Sequence, residues 1–79
     1  MDIQFKRVEI DMAATGAKLK ERRMELQLEI TNVAELIGVT VRSCYLYEQG
    51  NILPQLDNFI NISRLYKIQM EELLILRKE

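Results

Sequence analysis

Apolar residues recur along this chain at helical spacing over most of its length. The cleanest stretch is Ile30, Val33, Ala34 and Ile37, at i, i+3, i+4 and i+7, which predicts a helix over 30–37 with one buried face. Gly38 follows where a left-handed residue is wanted and stops that helix. Thr40 is placed to cap a third helix, its hydroxyl accepting from a free backbone N–H of the first turn, and this helix ends at Gly50. Upstream, a helix beginning at Ala14 or Thr15 and ending near Leu26 turns Gly16, Leu19, Arg23 and Leu26 inward. Downstream of Pro54 and Gln55, a fourth helix places Leu56, Phe59, Ile60 and Ser63 on one face. A fifth, from about Met70, carries Leu73, Leu74 and Leu76. Residues 1–13 differ: Ile3 and Phe5, then Val8, Ile10 and Met12, alternate loosely at period two, the pattern of an extended or disordered arm. The expected organisation is an arm over 1–13 and one all-α domain over 14–79.

The two middle helices carry the most specific pattern. Helices joined by a three-residue turn cross closely and steeply, so they need a small residue at the crossing, a glycine in the turn and apolar inward positions. Ala34 and Gly38 meet the first two needs; Val33, Ile37, Val39, Cys44 and Tyr47 meet the third. By contrast Glu29, Gln55 and Gln69 stand where Ser, Thr, Asp or Asn would cap better, and each lapse costs ~1 kcal/mol.

Composition narrows the chemistry. With no histidine and one cysteine, no internal disulfide, His/Cys zinc site or Ser-His or Cys-His catalytic pair can form. No metal, cofactor or enzymatic activity is expected. Cys44 falls on an inward position and reads as core. The longest apolar run, Leu73 to Leu76, is far too short for a membrane span, and the acidic MDIQFKRVEIDM opening is no signal peptide; the expected location is the cytoplasm. A net charge of −1 lacks the basic surplus usual in a nucleic-acid binder. At 79 residues the chain buries only roughly 60–65% of its unfolded surface, so its stability is modest.

The segments TGAKLKERR, NVAELIGVTVRSCYLYEQG and LPQLDNFINISRLYKIQMEELL, spanning Thr15 to Leu74, resemble the Cro/Xre-type helix-turn-helix family of phage and bacterial regulators. The resemblance implies a five-helix, lambda-repressor-like fold and a sequence-specific regulator of transcription, a repressor acting as a homodimer on double-stranded DNA. It also implies that Arg23 pairs with Glu48 as a buried ion pair pinning the first helix to the third. The third helix would lie in the major groove, presenting Val41, Arg42, Tyr45, Leu46 and Gln49. Arg42 is the candidate guanine reader, because its fork meets both acceptors of that base. Gln49 suits adenine or a phosphate, Tyr45 a sugar or phosphate, and Val41 a thymine methyl. Thr31, Asn32, Thr40 and Asn51 complete the candidate contact set.

Two departures stand out: Ile30 where many members have a phosphate-gripping glutamine, and Asn51, Ile52 and Leu53 where many have basic residues. Lys18, Lys20 and Arg22 add charge on the first helix. For dimerisation the candidates are the run Leu73, Leu74, Ile75 and Leu76, with core closure as its alternative, and the arm with Ile3 and Phe5. A rival reading keeps the fold but assigns it to a protein-interaction module, of antitoxin or anti-repressor type, with a second protein on Val41, Leu46, Ile52 and Leu53.

Overall fold

The computed structural model describes residues 2–78 and contains five helices: α1 (Met12–Glu25), α2 (Ile30–Ile37), α3 (Val41–Glu48), α4 (Leu56–Tyr66) and α5 (Met70–Leu73). The first starts two residues ahead of the expected Ala14, because Asp11 caps it, its carboxylate accepting from the Ala14 N–H at 2.9 Å. The extended arm therefore reaches only to residue 11. Gln27 and Lys67, both left-handed, close the ends of α1 and α4. As their sequence suggests, α2, α4 and α5 begin without a side-chain cap.

Leu19, Ile30, Val33, Ala34, Cys44, Tyr47, Phe59, Ile62, Tyr66 and Leu73 form the core. Burial of a large apolar side chain is worth about 1.5–3 kcal/mol, so this cluster carries the fold. Cys44 lies in it, and burial pushes its thiol up from the ordinary range, so it stays protonated and inert. On α4 the expected face is corrected. Phe59 and Ser63 are buried, but their companions are Ile62 and Tyr66, while Leu56 and Ile60 face solvent.

The expected fifth helix is also shorter. It ends at Leu73, and Leu74 turns the chain into extended conformation. The tail then finds partners sixty residues away: the Ile75 N–H donates to Thr15 Oγ1 at 3.0 Å and the Ile75 carbonyl accepts from the Asp11 N–H at 2.7 Å. Ile10 and Leu76 form an antiparallel bridge, flanked by Arg77 N–H donating to the Glu9 carbonyl at 2.8 Å. Leu73 is wholly buried. It closes the core and offers nothing to a second molecule; of the four dimerisation candidates in this run only Leu76 is well exposed, with Leu74 and Ile75 half-buried.

Candidate nucleic-acid interface

The pairing of α2 with α3 follows from backbone needs. Gly38, at φ +84°, reverses the chain, and its N–H and that of Val39 both donate to the Ala34 carbonyl, at 2.9 and 3.0 Å. Thr40 then starts α3, its Oγ1 accepting from the Ser43 N–H at 3.0 Å while its hydroxyl donates to Ser43 Oγ at 3.0 Å. Replacing Thr40 with alanine leaves that N–H without its partner. The expected cost is about 1 kcal/mol, read as a lower urea midpoint; an unchanged midpoint would show that water replaces the cap.

Behind α3, Cys44 and Tyr47 are buried and α1 lies close. A Cβ built on Gly16 would fall 2.6 Å from the Glu48 carbonyl oxygen and 2.7 Å from that of Tyr47, so only glycine permits this approach. At the same crossing Arg23 makes a forked pair with Glu48, Nε to Oε2 at 2.6 Å and Nη2 to Oε1 at 3.1 Å. Its Nη1 donates to the Leu28 carbonyl at 2.9 Å, which ties in the α1–α2 connection. Both side chains are largely buried, at 14% and 8% exposure, so each charge depends on the other. The hydrogen bond to Glu48 raises the Arg23 pKa above its ordinary value.

On the opposite side of α3, Arg42, Tyr45 and Gln49 are exposed at i, i+3 and i+7, a single stripe on a helix fixed from behind. Gln49 Oε1 accepts from Asn51 Nδ2 at 3.0 Å, leaving the Gln49 amide group as a donor for an acceptor beyond the protein. Thr31, Asn32, Thr40 and Asn51 are exposed as well. Val41 and Leu46 are half-buried, and Val41 packs against the core cluster, so the apolar part of the expected reading face is narrower than the sequence suggested. Ser43, overlooked in the sequence, stands beside Thr40 at the start of α3; the Thr-x-x-Ser spacing was its signal.

Two features of the surroundings limit the positive charge here. Ile30, at the position where many members of the resembled family have a phosphate-gripping glutamine, is buried in the core, and the residue before it is the acidic Glu29. Lys18 and Arg22 belong elsewhere: with Lys67 they line an open cleft of about 640 Å³ between α1 and the α4–α5 corner, which contains no residue of α2 or α3. Both are engaged, Lys18 with Glu21 at 3.7 Å, and Arg22 with Glu25 at 3.8 Å and the Tyr66 carbonyl at 2.9 Å. Arg42 is the one cation within α2 and α3 that faces solvent.

The helix-turn-helix family model matches residues 19–73. Over 52 residues the chain is 42% identical to a protein of Thermoplasma volcanium whose name describes an HTH-type transcriptional regulatory protein; the match covers 66% of this chain and 16% of that protein's length. Among solved structures, the chain is similar to the restriction-modification controller protein C.AhdI from Aeromonas hydrophila, with a TM-score of 0.73 and 25% identity over 80% of this chain and 96% of that one. It is similar in fold to the DNA-binding domain of BldD, with a TM-score of 0.67 and 23% identity over 80% and 92% of the two chains.

Proposed function

The chain belongs to the Cro/Xre-type helix-turn-helix family, and from that premise we propose that it is a non-enzymatic, DNA-binding transcriptional regulator that lays α3 in the major groove. The observation that carries this reading is the stripe of Arg42, Tyr45 and Gln49, exposed on a helix whose other side is locked by Gly16 and the Arg23–Glu48 pair. Such bracing matters, because side chains can discriminate base edges only from a backbone that holds its position. Arg42 reads guanine, Tyr45 and Gln49 reach sugar and phosphate, and Thr40, Thr31, Asn32 and Asn51 contact the backbone on either side. With one free cation on the helix pair, a single molecule neutralises few phosphates and binds weakly. Two copies on adjacent half-sites answer that weakness, and a homodimer seated on an operator represses by occupying it. Among the described residues no helix is long and apolar enough to cross a membrane, which accords with a protein working where the DNA is.

The test is titration of the protein onto its own upstream DNA at several salt concentrations, beside Arg42→Ala. The wild type should bind one sequence preferentially, with a shallow salt dependence for a DNA-binding domain. The variant should lose about 1–3 kcal/mol and relax its preference at one base pair. Binding that is equal for all sequences and unchanged in the variant would overturn the reading. The rival assignment to a protein-interaction module gains little support from the surface: of Val41, Leu46, Ile52 and Leu53, only Ile52 is exposed.

A further inference from the structure

Charge is spread unevenly over this chain. Four of its eleven Lys and Arg residues, Lys6, Arg7, Arg77 and Lys78, line one cleft of about 460 Å³ between the arm and the tail, where Glu9 is the one acid among the lining residues. The rest of the chain carries seven basic against eleven acidic residues. A net charge of −1 therefore conceals a basic patch on an otherwise acidic molecule. The fold assembles that patch: the Ile10–Leu76 bridge and the bond from the Arg77 N–H to the Glu9 carbonyl hold the arm beside the tail. Cations so gathered repel one another, and little within the cleft offsets this. Arg77 stands 3.4 Å from Glu9, but both side chains are more than half exposed, a setting in which an ion pair contributes little. Among the described residues Arg7 and Lys78 have no acidic partner. Lys6 is already engaged, so Arg7, Arg77 and Lys78, all exposed, are the cations turned outward.

The place of the patch points to its partner. Gly50, one residue beyond Gln49, abuts Met12 and Ala13 at the start of α1, so the arm leaves the fold beside the C-terminal end of α3. From Asp11 back to Arg7 is four residues of extended chain, about 13 Å at 3.3 Å per residue, or the rise of about four base pairs. We propose that Arg7, Arg77 and Lys78 grip the phosphates of the duplex flanking the site that α3 reads. This rests on the DNA-binding reading above and supplies the phosphate contacts that α2 and α3, with Arg42 alone, lack. The labour divides: the stripe on α3 selects the sequence, while the patch adds affinity and fixes register without reading a base.

The test compares the full wild-type chain with the triple variant Arg7→Gln, Arg77→Gln, Lys78→Gln on the preferred upstream DNA, across a salt series. Each phosphate contact contributes about 0.9 to the slope of log affinity against log salt, so the variant's slope should be shallower by about 2–3 per bound chain. Between about 50 and 200 mM salt the wild type should lose about 40-fold more affinity than the variant. Sequence preference, circular dichroism and Tm should be unchanged, because all three side chains are exposed. The second arm shortens the duplex by about four base pairs on each side. That should bring the wild type to the variant's slope and leave the variant's own slope unaltered. Specific wild-type binding with the same slope in the variant would overturn the patch as a phosphate grip and leave the α3 reading standing. Shortening that affects both proteins equally would do the same. A wild type that binds no DNA at the lowest salt would overturn both. Unchanged DNA binding in the variant, with loss of binding to phosphatidylglycerol vesicles, would assign the patch to an anionic membrane surface and overturn the proposal.

Discussion

Glu48→Ala should destabilise the domain by about 3–5 kcal/mol, the largest effect expected of any single side-chain truncation here. The guanidinium of Arg23 is buried against α3 with two of its hydrogen bonds on the Glu48 carboxylate. Removing the acid leaves a positive charge in an apolar setting with only the Leu28 carbonyl as partner. A domain of this size has a total stability on the order of 5–15 kcal/mol and stands low in that range, so the variant should be largely unfolded near 37 °C. Urea titration followed by circular dichroism measures the loss. The companion experiment is the double variant Arg23→Met, Glu48→Leu, which removes both charges and fills their space with apolar atoms. It should be clearly more stable than either single truncation. A single-variant cost under about 1 kcal/mol would mean that solvent reaches Arg23 and that the pair is ornamental to the fold.

The second large effect is at Gly50. Its φ of +77° lies in the left-handed region, and a Cβ there would fall 2.7 Å from the Met12 carbonyl oxygen and 2.9 Å from Ala13 Cα. Gly38 shares the backbone conformation at +84° but has nothing within 4 Å of its Cβ position. The pair separates two causes of strain. Gly38→Ala should cost only the conformational penalty, about 1–2 kcal/mol. Gly50→Ala should add about 1–3 kcal/mol for driving backbone from backbone at the start of α1. The check is the difference between the two urea midpoints. Equal losses would show that α1 yields to the extra atom and that the close approach is not a constraint.

The α2–turn–α3 unit was legible because every feature that shapes it is local. The Ile30, Val33, Ala34, Ile37 spacing, the Gly38 turn and the Thr40 cap lie within eleven consecutive residues. The α4 face was not, for a reason visible in its sequence. Leu56, Phe59, Ile60 and Ser63 fit helical period as well as Phe59, Ile62, Ser63 and Tyr66 do, and the two sets share members. Periodicity cannot choose between overlapping stripes; packing from distant parts of the chain does, and it selects the stripe ending in Tyr66. The end of α5 failed likewise, since Leu73 to Leu76 has helical composition. What draws Ile75 into extended form is the Thr15 hydroxyl and the Asp11 N–H, neither of them near it in sequence. The start of α1 was different: Asp11 is an ordinary capping residue, and the signal was there. For the interface, the positions of Arg42, Tyr45 and Gln49 followed from their spacing on α3. The half-burial of Val41 did not, because it depends on the tightness of the α2–α3 crossing.

The bridge between Ile10 and Leu76 has a consequence of another kind. It brings the two ends of the folded unit to one spot, so the chain enters and leaves the domain side by side. A unit with that topology behaves as a cassette. It can be spliced into a surface loop of an unrelated host, or carry a fused partner at either end, with both attachments emerging together and neither stretching the fold.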